Sequence, residues 1–200
     1  MDRFQITGNS VALDADGLAN DVAYSGGGYA LTANSAGDSL AHQITILGNA
    51  ATNHSAKTFT VTGTSPNGFS QSEGIAGPNG VATVTTTKYF LTVTSVTVSS
   101  TTGADTFDIG WNADSVSAWI YPQPTGPQFS IGFACIKDSG SPTYGVQHTY
   151  DNGVTAFNHS SVTNETTSQE GTYTTAVQGY RLNWTAAGEV TMWAYAVSLK

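Results

Sequence analysis

The chain has 200 residues and a net charge of −8, with only 6 Lys and Arg and a charged share of 10%, against roughly 25% in an ordinary domain. So few cations exclude a phosphate-backbone footprint and an anionic membrane surface, and leave a positively charged protein surface as an acceptable partner. No stretch is long and apolar enough to predict a transmembrane helix, the first ten residues show no secretory signal, and the single cysteine, Cys135, excludes an intrachain disulfide.

Thr, Ser, Asn and Gly fill the places that Lys, Glu and Arg hold on a helical surface. Thr suits a strand because its branched Cβ fits the pleat. Residues 1–40 read as an N-terminal arm with the first strands. Within it, the Gly/Ser-rich segment Asn20–Asp38 predicts an extended arm, and Gly26-Gly27-Gly28 a tight bend. Asp14, Asp16, Asn20 and Asp21 faintly resemble a calcium loop. Leu18 and Ser25 stand where a fifth-position oxygen ligand and a twelfth-position Glu are needed, so an Asp-rich turn is the expectation.

Residues 41–113 predict a β domain. Phe59 and Val61 alternate with Thr58, Thr60 and Thr62, and Phe107, Ile109 and Trp111 with Thr106, Asp108 and Gly110. Ser65-Pro66-Asn67-Gly68 has the chemistry of a type I hairpin turn, and Gly77-Pro78-Asn79-Gly80 repeats it. Between Val93 and Val96 the apolar phase flips, which predicts a β-bulge or a strand crossing between sheets. A boundary falls near residues 112–117.

Residues 114–200 predict a C-terminal β-sandwich domain carrying three of the four tryptophans. It opens with a Pro-rich bend over Pro122–Pro127. Tyr144, Val146, His148 and Tyr150 then form one strand face, and Phe129, Ile131, Phe133 and Cys135 another. Asp151-Asn152-Gly153 predicts a turn, Ser160–Gly171 an exposed loop, and Ala186–Glu189 a turn between the Tyr180–Trp184 and Trp193–Leu199 strands. The fold class is therefore all-β, an antiparallel β-sandwich of jelly-roll or immunoglobulin-like type, with two small β domains in tandem. One continuous larger sandwich is the alternative.

No pattern of chemistry-bearing residues completes itself. His42, His54, His148 and His159 lack partners at metal-ligand spacing. His148 reads as a packed core or interface residue, the other three as solvated loop residues. Cys135 reads as a buried small hydrophobe. There is no nucleophile elbow, and Gly26–Gly28 lacks the residues of a phosphate cradle. The sequons at Asn53, Asn158, Asn164 and Asn183 are chance matches in a Thr/Ser/Asn-rich chain. These readings predict no catalytic residue, cofactor or metal, and hence no enzyme.

Several stretches resemble tailed-bacteriophage virion structural proteins. They are Gln43–Ile46, Lys57–Thr64 with Asn67-Gly68, Glu73, Gly77-Pro78-Asn79, Thr87-Lys88-Tyr89-Phe90, Val93–Val98 and Gly110. The ending Tyr180–Trp184 followed by Gly188–Thr191 is similar to the final hairpin of such proteins. The resemblance covers about half the chain. It implies a capsid decoration (cement) protein, made in the host cytoplasm, that stabilises the shell of the virion. Such a protein sits on the outer head surface as a homo-oligomer, a trimer above all, against the major capsid protein. Met1–Asp38 is the segment expected to touch the capsid. A tail, neck or head-fibre subunit is the structural alternative. A carbohydrate-binding adhesion module using Trp119, Trp184 or Trp193 is the alternative of another class.

Overall fold

In the computed structural model, which describes residues 2–122 and 128–199, thirteen strands and no helix are found. In chain order they are β1 (Asp2–Ser10), β2 (Asp14–Ala23), β3 (Gly28–Tyr29), β4 (Ala41–Gly48), β5 (Thr58–Thr64), β6 (Ser70–Ala76) and β7 (Thr83–Phe90). After these come β8 (Thr92–Val98), β9 (Thr106–Val116), β10 (Gln128–Thr149), β11 (Phe157–Asn158), β12 (Gln169–Tyr173) and β13 (Gly179–Leu199). The fold is the antiparallel, all-β sandwich type that the alternation predicts. The Pro-rich bend lies outside the described residues apart from Pro122.

The chain divides into two compact units, Ala12–Ser115 and a second made of Met1–Val11 with Val116–Lys200. Residues 1–40, read from sequence as one segment, are shared between them. β1 pairs with β13 from Asp2↔Ala196 to Ser10↔Gly188. Residues 12–40 belong to the first unit, and they are not a free arm. Leu18, Tyr29 and Leu40 are buried, and the backbone of Thr32 and Asn34 bonds to Leu18 and Val93. Three apolar anchors within a Gly/Ser-rich stretch hold it down.

In the Ala12–Ser115 unit, one four-stranded sheet runs β3-β8-β5-β6, and β2, β9, β4 and β7 are neighbours in the other. The sheets close on Tyr29, Phe59 and Phe107. Tyr29 stacks on Phe59 at 5.7 Å, and Phe107 meets both edge-on at 5.3 and 5.2 Å. Such aromatic pairs add about 0.5–1.5 kcal/mol each beyond the area they bury. The phase flip between Val93 and Val96 is a bulge inside β8, just after the chain has crossed from the sheet of β7 to the sheet of β8. Ser95 then pairs with Thr62 but Val93 with Gly63, so Thr94 is bulged out. A Cβ on Gly63 would lie 1.9 Å from the Thr92 carbonyl oxygen, so only glycine lets the bulge close.

A second irregularity sits in β7. Thr85 pairs with Thr45 and Tyr89 with Gln43, leaving Thr86, Thr87 and Lys88 opposite Ile44 alone. Side chains take up the displaced ladder bonds. The Thr86 hydroxyl accepts from the Ile44 N–H at 2.8 Å. Glu73, on β6, accepts from the Thr87 N–H and hydroxyl at 2.9 and 2.8 Å and from the Lys88 N–H at 2.8 Å.

The hairpin turn at Ser65–Gly68 forms as predicted, with Gly68 N–H donating to Ser65 O at 2.9 Å and Gly68 at φ 82°. Gly26 and Gly27, at φ 61° and 100°, close a two-residue turn between Ser25 and Gly28.

In the other unit, β10 and β13 pair along almost their whole lengths, with register shifts between Lys137 and Tyr144. β11 and β12 add to β10, and β1 to β13. The turn expected at Ala186–Glu189 is absent. β13 runs straight through it, with Gly188, at φ 144°, paired to Gly140. The Gly signal there marks a bend inside a long strand pair, not its end. Ser160–Gly171 is largely exposed, yet it is pinned by fully buried Val162 and by the Tyr144–Glu165 bridge.

Candidate functional site

The histidines correct one expectation. His42, His54 and His159, read as solvated, are 2%, 4% and 6% exposed. His42 places Nε2 2.8 Å from the Asp38 carboxylate and donates from Nδ1 to the Asn112 carbonyl at 3.2 Å. His54 Nε2 lies 2.9 Å from Asp105, with its ring on Phe107. Each partner is remote in sequence or unremarkable at i−4, so no spacing announced it. His159 donates from Nε2 to the Thr172 carbonyl, and Nδ1 accepts from Ser161 N–H and Oγ–H, each at 3.3 Å. This Ser–His pair is oriented by a backbone carbonyl rather than a carboxylate, and it is longer than the reach of a working nucleophile and base.

The Asp-rich segment is spent on structure. Asp21, at φ 48°, donates its N–H to Asp108, and Asn49 bonds to both Asp21 and Asp108. Among the described residues no group of three or more His, Cys, Asp and Glu is placed to hold a metal ion. Cys135 is buried, and burial pushes its thiol up to about 12. Trp119 and Trp184 are 7% and 1% exposed, so neither ring offers a face to a sugar. The half-buried Trp193 has the Arg3 guanidinium 3.8 Å above its ring.

What the second unit does present is an apolar loop between β10 and β11. Tyr150, Val154 and Phe157 are 54%, 86% and 46% exposed within eight residues of chain. The loop is braced from inside. Fully buried Thr149 donates its hydroxyl to Asp151 at 2.8 Å and accepts from the Gly153 N–H at 3.0 Å. Asp151 accepts from the Thr155 N–H at 2.8 Å, and that bond, above all, holds its carboxyl below the usual range. Asn152 and Gln178 exchange two bonds at 2.7 and 2.6 Å. Asn152 and Gly153 both have positive φ, at 58° and 83°, as the Asn-Gly signal requires. Gly153 lies so close over Trp119 that a Cβ would sit 2.6 Å from its Nε1.

Beneath the loop is a ring cluster. His148 stacks on Phe157 at 5.7 Å and meets Tyr150 and Tyr173 edge-on at 5.3 and 5.1 Å. Burial holds the imidazole below its ordinary value, with His159 pushing the same way. The packed role expected of His148 is observed. The sequence signalled the turn at Asp151–Gly153, but nothing in the periodicity showed that three apolar side chains around it would face solvent.

In comparisons with known proteins, no family model matches the chain and no curated protein matches it.

Proposed function

We propose that the protein is a structural component of a tailed-phage particle, a decoration protein that binds the outer head surface as an oligomer and works by binding energy alone. The observation that carries this reading is the braced loop holding Tyr150, Val154 and Phe157 in solvent. A loop ordered before contact loses little entropy on binding, and the Tyr150 and Phe157 rings, 6.0 Å apart, with exposed Val154 on the same loop offer an apolar contact surface. The sequence resemblance supplies the particle. Because β1 and the segment after it are paired and packed, the loop replaces Met1–Asp38 as the proposed contact with the major capsid protein. A shell whose subunits are bridged this way gains stability by mass action.

The test mixes purified protein with undecorated heads. Saturable binding at hundreds of copies per head, lost in Val154→Asp with the fold intact, is the expected result. No saturable binding removes the proposal, and a small multiple of three or six copies per particle moves the protein to the tail or neck.

A further inference from the structure

The outward face of the strands β1, β13, β10 and β12, in that order, carries a second feature. Met192, Ala194, Ile131 and Phe133 are buried, so their neighbours Trp193, Tyr195, Gly132 and Ala134 turn outward. The register sets the outward residues in rows. One runs Arg3–Tyr195–Gly132–Thr172, and the next Gln5–Trp193–Ala134–Glu170. Rings therefore line β13 and small residues line β10. Tyr195 is 39% exposed, and a Cβ on Gly132 would meet nothing within 4 Å. The charges of these rows stand at opposite margins, Arg3 on β1 and Glu170 on β12, both exposed. Arg3 leans out of its own row, with its guanidinium 3.8 Å over the Trp193 ring, in the row of Glu170. Two rows beyond Trp193 the face ends at Glu189, which accepts from the Ser139 hydroxyl at 3.1 Å.

We propose that this face packs against the same face of a second copy of the chain, about a two-fold axis that runs along the strands between β13 and β10. Such an axis reverses the strand order, so β13 of one copy lies over β10 of the other, and β1 over β12. Two complementarities follow from that single operation. The Tyr195 ring of each copy meets the open space over Gly132 of the other, large against small, as interdigitating layers require. Arg3 of each copy comes over the margin that holds Glu170 of the other, because β1 and β12 stand at equal distances from the axis, about 14 Å apart. An axis across the strands would instead lay β13 on β13 and β1 on β1, ring on ring and like charge on like. A chain of net charge −8 repels its own copy, so a self-contact has to bring opposite charges together, and Arg3 is one of only 6 Lys and Arg residues. Four strands by three rows make a face of roughly 400 Å². Two copies then bury roughly 800 Å² in all, which gives a weak, reversible dimer. This contact would serve the oligomer proposed above, but it rests on the face alone and stands whether or not the protein binds heads.

Sedimentation velocity of the full chain over a concentration series reads the association, and thermal melts check that each variant is folded. A monomer–dimer equilibrium is expected. Gly132→Val, at an open position without a positive φ, fills the space that receives Tyr195 while suiting the strand. It should weaken the dimer about tenfold or more. Arg3→Glu and Glu170→Arg each set like charges against one another, and each should weaken it too. Mixed one to one, those two variants regain opposite charges across the axis and should form a heterodimer tighter than either forms with itself. Val154→Asp, on the β10–β11 loop, should leave the dimer unchanged. The inference is overturned if the chain stays monomeric up to about 1 mM, if it forms a trimer or larger ring instead, or if Gly132→Val associates as the unaltered chain does. It is also overturned if the mixed variants gain nothing over their components, or if Val154→Asp abolishes the association. A chain that dimerises in this way but binds no heads keeps the inference and loses the proposed function.

Discussion

Replacing Glu73 by Ala removes the carboxylate that takes the displaced N–H groups of Thr87 and Lys88 in the β7 irregularity. Its carboxylate takes three bonds, two of them from backbone N–H groups that have no ladder partner because β4 offers a single residue there. Hydrogen bonds to a charged group contribute about 1.5–3 kcal/mol each when water is excluded. Glu73 is half-buried, so water replaces part of each bond, and the lower end applies. Two displaced N–H groups then give a loss of about 2–3 kcal/mol, or roughly 10 °C or more in the melting of a unit of this size. Glu73→Gln is the sharper probe. It keeps one acceptor oxygen but turns an N–H₂ toward either the Thr87 or the Lys88 donor, so it recovers at most half. Thermal melts and urea titrations give the free energies, and amide exchange at Thr87 and Lys88 locates the loss. If Glu73→Ala costs less than about 0.5 kcal/mol, a typical surface value, the carboxylate is not what holds the bulged segment.

Gly63→Ala drives a Cβ into the Thr92 carbonyl and should cost about 3 kcal/mol or more, read as a lower urea midpoint or as loss of soluble protein. Cys135, with its thiol raised to about 12, should resist alkylation at pH 8 in the native protein and react at once in denaturant. Asp151 is held below the ordinary aspartate range, so its contribution to the loop is complete above that range and disappears as pH falls through the lowered folded value. Loop resonances of Gly153 and Thr155 should shift in that acid window, and Asp151→Asn should abolish the transition.

The strands were legible because their cause is local. Alternation of Phe59 and Val61 with threonines, or of Phe107 and Ile109 with Asp108, fixes which face is buried whatever the sheet turns out to be. The phase flip before Val96 was legible for the same reason, since a bulge and a sheet crossing both leave a break in period two. The division between Val11 and Ala12 was not, because it depends on β1 returning to pair with β13 over a separation that no turn or composition change records. The signal at Gly188 is ambiguous on similar grounds: a positive φ is needed equally by a turn and by a bend in a strand, and only the partner, Gly140, decides. The buried histidines escaped notice because a His among polar residues reads as solvated until its partner is known: Asp38 for His42, Asp105 for His54 and the Thr172 carbonyl for His159.

The net charge of −8 invites the view that this protein is steered electrostatically onto a basic partner. The structure points elsewhere for the contact proposed here. Glu73 bonds to the backbone of β7, Asp151 to that of its own loop, Asp108 to Asp21 and Asn49, and Asp38 and Asp105 to histidines. Each of these carboxylates keeps its charge but gives an oxygen to the fold. The loop that we assign to head contact projects Val154, Tyr150 and Phe157 instead. If apolar burial drives that contact, its affinity should change by less than about threefold between 50 and 500 mM salt. A contact made by several surface ion pairs would weaken much more, because the screening length falls from about 14 Å to about 4 Å over that range. Sedimentation of decorated heads across the salt series separates the two. A tenfold or greater loss at high salt would place the contact on the acidic surface and remove it from this loop.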